Sequence, residues 1–158
     1  MTRLIAYALW MSVSVLASAE EKIFRYSCDG AEVEIRGTYD ANDPGCLAFK
    51  KFDMSVYRSD RRVYLDLSYG YMSAACLTNV KGKKLIVFQQ YCDGTACNDG
   101  ANYGIVDPRD LTILLVPDST SHRTQLKNRR TAAKILGVRE PPYLGDNPAT
   151  VCCSYCDD

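Results

Sequence analysis

The sequence predicts an all-β protein, built as an antiparallel sandwich, barrel or propeller-like sheet, with one short C-terminal helix and a set of disulfide bonds. Three observations predict this. From Arg62 to Tyr69 the side chains alternate without a break, with Val63, Leu65, Leu67 and Tyr69 on one side and Arg62, Tyr64, Asp66 and Ser68 on the other; a period of two means a strand with one buried and one wet face. Turn residues recur between short segments of this kind, which is the spacing of hairpins. Only the stretch from Asn128 to Gly137 carries helix signals at both ends.

The elements follow in order. Ile23 to Ser27 reads as a strand, and Asp29-Gly30 turns it back into Ala31 to Arg36, because a two-residue hairpin turn needs positive φ at both central positions. Asn42-Asp43-Pro44-Gly45 is a loop. Phe52, Met54 and Val56 alternate with Asp53, Ser55 and Tyr57, and Ser59-Asp60-Arg61 turns the chain into the strand from Arg62 to Tyr69. Lys81-Gly82-Lys83 joins the strands Ala75 to Val80 and Lys84 to Tyr91. Tyr103 to Val106, the turn Asp107-Pro108-Arg109-Asp110, and Leu111 to Val116 form a last hairpin that Pro117 stops. Asn128 is placed to cap a helix from Arg129 to Leu136, with Gly137 closing it in the left-handed conformation. Pro141-Pro142 forbids more helix.

The N-terminus has the order of a secretory signal peptide: Arg3, an uncharged apolar run from Leu4 to Leu16, the small-residue site Ala17-Ser18-Ala19, then Glu20, Glu21 and Lys22. The expected organisation is a signal peptide over 1–19 and a single β-rich domain over 20–158 with a cysteine-pinned C-terminal tail. The run is short for a membrane span, which needs roughly 20 residues, so no membrane anchor is expected and the location is periplasmic or secreted. All eight cysteines (Cys28, Cys46, Cys76, Cys92, Cys97, Cys152, Cys153 and Cys156) follow the cleavage site. An oxidising compartment pairs them, although the pairings number about 105. Cys92 and Cys97 bracket a turn-rich loop and form the simplest pair.

Candidate chemistry is sparse. His122, the single histidine, lies in a polar stretch read as loop, and no Gly-x-Ser-x-Gly elbow accompanies it. Cys153-Ser154-Tyr155-Cys156 lacks the following helix that would activate a redox pair. Asp93, Asn98 and Asp99 fail the alternation of an EF-hand, since Thr95 and Cys97 fall where oxygen ligands belong. Glu32 and Glu34 share a strand face that reads as solvent-facing. No catalytic residue, metal or cofactor is therefore expected, and the chain reads as a non-enzyme. The formal net charge is zero, which recommends no nucleic acid. His122, Arg123, Lys127, Arg129, Arg130, Lys134 and Arg139 nevertheless make the helix region basic, a solvated face or a contact for an acidic protein.

The signal peptide, the run Asn102-Tyr103-Gly104-Ile105-Val106-Asp107-Pro108, the segment Leu114-Leu115-Val116-Pro117 and Ala132-Ala133-Lys134-Ile135-Leu136-Gly137 resemble small bacterial periplasmic immunity proteins that neutralise type VI secretion effectors. The resemblance covers about a quarter of the chain. It implies an inhibitor that inserts a loop into a cell-wall hydrolase, so the expected partner is a protein, a peptidoglycan-degrading effector. From the residues, the candidate loops are Asp40 to Gly45 and Asp93 to Tyr103, with Asn42, Asp43, Asp93, Asp99, Asn102 and Tyr103 as contact residues. A loop fixed by cysteines binds with little ordering cost. The alternatives are an exported enzyme with an unrecognised site and a structural or ligand-binding envelope module.

Overall fold

A computed structural model describes residues 19–40, 51–67, 71–91, 102–117, 121–144 and 151–153. Within them nine strands and one helix follow in order: β1 (Ala19–Cys28), β2 (Ala31–Asp40), β3 (Lys51–Arg58), β4 (Arg61–Leu67), β5 (Tyr71–Thr78), β6 (Lys84–Tyr91), β7 (Asn102–Val106), β8 (Ile113–Leu115), α1 (His122–Leu136) and β9 (Val151–Cys153). They form a four-stranded meander, β1-β2-β3-β4, and a five-stranded sheet, β8-β7-β6-β5-β9, antiparallel throughout. Of the three β architectures expected, the sandwich is the one observed.

The first sheet buries one face. Val33 and Ile35 of β2, Phe52, Met54 and Val56 of β3, and Leu65 and Leu67 of β4 point inward. The residues between them in β2 and β4, Glu32, Glu34, Arg36, Tyr64 and Asp66, remain at least partly exposed. The central strands of the second sheet, β6 and β7, are buried on both faces. Along β6, Leu85, Ile86, Val87, Phe88 and Gln89 are all buried. Ile86 and Phe88 join Met72, Ala74 and Val106 against the first sheet, while Leu85 and Val87 join Ala75, Tyr103 and Ile105 against Ala132 and Leu136 of α1. Successive strand residues point to opposite faces. An unbroken apolar run is therefore what a strand between two layers requires. The result is three layers: sheet, sheet, helix.

Close packing at the centre depends on Gly104 of β7. It sits across from Phe88 in the β6–β7 ladder, and a Cβ there would fall among the Phe88 ring atoms. The ring takes the room that the missing side chain leaves.

Four turns gather at one end and are laced together. Asp29 (φ 52) and Gly30 (φ 80) form the positive-φ pair expected from Asp-Gly. The Arg58 guanidinium donates to the carbonyls of Asp29 at 2.6 Å and Pro108 at 3.1 Å. Arg109 Nε donates to the Asp29 carboxylate at 2.8 Å, and Arg61 to the Asp110 carbonyl at 2.7 Å. Lys83, from the β5–β6 turn, pairs with the buried carboxylate of Asp107. A disulfide from Cys28 in β1 to Cys76 in β5 ties the two sheets together across 48 residues.

The helix begins earlier than its sequence signals suggest. Ser121 is the N-cap, its hydroxyl accepting from the Thr124 N–H at 3.2 Å while the Thr124 hydroxyl accepts from the Ser121 N–H at 3.1 Å. His122 accordingly opens α1 rather than lying in a loop, and Asn128 is not a cap but a buried mid-helix residue. Its amide is used elsewhere. Asn128 Oδ1 accepts from the Tyr103 N–H at 2.7 Å, and Nδ2 donates to the carbonyls of Tyr103 at 2.8 Å and Val116 at 3.0 Å. β8 pairs with β7 only at Ile105 and Val106. One side-chain amide thus supplies at Tyr103 the donor and acceptor that a longer β8 would have supplied. Gly137 does close the helix, at φ 75 and ψ 25, with the N–H groups of Gly137 and Val138 both donating to the Ala133 carbonyl.

Candidate partner-binding surfaces

Strand direction fixes where the strand ends beside the candidate loops lie. The laced turns and the disulfide occupy one end of the sandwich. The strands β2 and β3, β4 and β5, and β6 and β7 run antiparallel to the partners joined by those turns. The strand ends that flank the connections 41–50, 68–70 and 92–101 therefore all lie at the opposite end. Asn42, Asp43, Asp93 and Asp99 belong to these connections and lie outside the described residues, as do residues 1–18, Cys46, Cys92, Cys97 and Cys156. The expected Cys92–Cys97 pair and the Asp93, Asn98, Asp99 group fall there too. Cys152 and Cys153 lie in β9, opposite Ser73 and Met72 of β5 near the same end.

The two remaining contact residues are placed in β7, and both are buried. Asn102 is 4% exposed and Tyr103 1%. The Tyr103 ring packs in the helix-side core. Its hydroxyl donates to the Pro142 carbonyl at 2.9 Å, and burial pushes the phenol up to about 12. Tyr103 thus secures the segment after α1 instead of offering a surface. Gln89 does the same one strand away, its Oε1 accepting from the Leu144 N–H at 2.8 Å.

The outer face of the first sheet is polar and internally matched. Arg25 and Arg36 reach Glu34 at 2.7 and 2.9 Å. Hydrogen bonds from Arg36 and then Arg25 hold the Glu34 carboxyl below its ordinary range, the reverse of what a general acid needs. Arg62 lies over the rings of Tyr57 and Tyr64, 5.3 Å from each centroid.

α1 presents a different surface, one that the basic run in the sequence foreshadowed. Arg123, Lys127, Arg129, Arg130 and Lys134 lie along it, and its first turn carries no acidic residue. Leu126, Arg129, Arg130 and Ala133 form a stripe at helical spacing that faces the returning strap of Arg139, Glu140 and Pro141. Between them runs a groove of about 280 Å³. What hid it from sequence reasoning is the strap, because nothing in residues 138–144 says that it folds back along the helix.

Among the described residues no three of His, Cys, Asp and Glu gather as metal ligands, and no helix is long and apolar enough to cross a membrane. Comparison with protein-family models, with curated proteins and with solved structures finds no match to this chain.

Proposed function

We propose that this chain is an exported binding protein, an inhibitor of the immunity type that blocks a cell-wall hydrolase with loops carried at one end of a stiff sandwich. The observation that supports this reading is that the strand ends flanking 41–50 and 92–101 share the end opposite the laced turns. Binding loops are held best by a scaffold whose own geometry does not yield. Here that scaffold has two cores and a disulfide between its sheets. The disulfide also suits the oxidising compartment to which the signal-like N-terminus points.

The test is protection. Cells producing this chain from its own N-terminus should survive periplasm-directed peptidoglycan hydrolases that lyse cells lacking it, and the purified chain should capture the hydrolase it blocks. Combining Asn42→Ala and Asp43→Ala in the first loop with Asp99→Ala in the second should weaken that capture more than tenfold with unchanged folding. Clearing of peptidoglycan by the purified chain itself, in a zymogram, would point to an enzyme and sink the proposal.

A further inference from the structure

We infer that the groove between α1 and its returning strap is a docking site for an acidic, apolar-anchored segment of a protein partner. The inference goes beyond the loop-borne inhibition above and stands on different residues. Charge is the first argument. Over residues 121–144 six Lys and Arg face one acidic residue, Glu140, in a chain whose formal net charge is zero. The remainder of the chain therefore carries a net negative charge, and of the six basic residues Arg129, Arg130 and Arg139 line the groove. Arg130 and Arg139, both exposed, have no ion pair among the described residues.

The second argument is what the groove already holds. Glu140 of the strap places its carboxylate 3.5 Å from Arg129, across the groove that Arg130 and Arg139 also line. A carboxylate is thus accommodated there, and the pair is exposed enough (42% and 73%) to be exchanged for another. The third argument is the floor. Leu126, Ala133 and Pro141 are apolar, and Leu126 is 39% exposed. About 280 Å³ suits one or two side chains, at the small end of ligand sites. Arginines around an apolar floor match a segment that alternates acidic and aliphatic residues.

The other polyanions fit less well. Single-stranded nucleic acid is held by aromatic platforms, and among the described residues no aromatic side chain lines this groove. A membrane surface takes an amphipathic helix by its apolar side, and the apolar side of α1, Ala132 and Leu136, is buried on the second sheet.

The probe is a fluorescein-labelled peptide of roughly twelve residues alternating Glu and Leu, titrated with the full chain at low ionic strength, where such contacts are strongest. A Gln-Leu peptide, an oligothymidylate of similar length and phosphatidylglycerol vesicles are the controls. Expected are binding of the Glu-Leu peptide, weakening of about tenfold or more in R130E/R139E, and tightening of a few fold in E140Q, which removes the competing carboxylate. Melting curves check that the charge reversals fold, and R130Q/R139Q gives the same direction with a milder change. Equal binding of the Gln-Leu peptide would overturn the proposal. So would an unchanged affinity in both arginine variants, or binding of the oligothymidylate or the vesicles with the same dependence on Arg130 and Arg139.

Discussion

Asn128→Ala and Asn128→Asp probe the contact that joins the helix to the edge of β7. Asn128 satisfies both main-chain groups of Tyr103, at 2.7 and 2.8 Å, and the site is closed to solvent, with Asn128 4% and Tyr103 1% exposed. Truncation to alanine leaves a buried N–H and a buried carbonyl without partners. Each unsatisfied group costs about 1–3 kcal/mol, so the variant should lose about 2–4 kcal/mol, a large share of the roughly 5–15 kcal/mol that holds a domain together. Aspartate keeps the shape and the acceptor but aims a second oxygen at the carbonyls of Tyr103 and Val116. Its folded state favours the protonated acid, so its carboxyl is raised above the unfolded value of about 4. The N128D deficit is therefore smallest below pH 4 and grows as pH rises toward neutrality. Urea unfolding at several pH values measures both, with an unchanged slope confirming the same transition. An N128A variant within about 0.5 kcal/mol of the parent, or an N128D variant whose deficit is flat with pH, would refute the idea that a side-chain amide replaces a missing strand residue.

Three further outcomes are expected. Gly104→Ala drives a methyl into the Phe88 ring and should cost about 1–3 kcal/mol or more, part of which Phe88→Leu in the same chain should recover; independent, additive effects of the two changes would contradict the contact. Removing the Cys28–Cys76 bridge by double alanine substitution should lower stability by about 2–4 kcal/mol, given the length of chain it closes, and denaturant midpoints compared with the parent read this directly. Arg109 holds the Asp29 carboxyl below its ordinary range, first through its hydrogen bond, so this contact stabilises above the unfolded carboxyl pKa and is lost as pH falls through the lowered folded one; the stability gap between R109Q and the parent should therefore shrink on acidification, measured by unfolding at pH 7 and near pH 2.

The strands are legible because most of them obey one rule. Where the first sheet meets water, as in β4, alternation marks the strand and its inward residues directly, and Val63, Leu65 and Leu67 take the expected side. The second sheet speaks less plainly. In β6 the run Leu85-Ile86-Val87-Phe88 has no alternation, since both faces are covered. That run signals a third layer but not which element supplies it. The helix start is obscured for a local reason. Residues 122–127 bring a single large apolar side chain, Leu126, and it is itself exposed, so the first turns carry no stripe. Ser121 caps with Thr124 instead of the more telling Glu or Gln. Asn128 reads as a cap because asparagine is usually costly inside a helix. Its cost here is offset by a strand edge that no sequence period reveals. The groove depends on the fold of residues 138–144 against α1, which has no periodic signature at all.

Tyr103 carries the sharpest consequence for testing the function. An aromatic residue beside a loop is a natural choice of anchor for a partner, and its replacement by alanine together with Asp99 looks like a clean probe with the melting temperature little changed. In the folded chain Tyr103 belongs to the scaffold. Its ring fills the helix-side core, its hydroxyl holds Pro142 at 2.9 Å and its backbone is held by Asn128. Tyr103→Ala should cost about 3–5 kcal/mol through the cavity alone, so any binding lost in that variant reports unfolding as much as contact. Tyr103→Phe separates the two. It keeps the ring, gives up one hydrogen bond worth about 1 kcal/mol, and removes a phenol that burial pushes up to about 12, which therefore stays neutral in the native state. Tyr103→Phe should leave partner capture unchanged and the denaturant midpoint slightly lower. If capture instead collapses while stability holds, the hydroxyl reaches the partner, and the burial of Tyr103 does not describe the bound state.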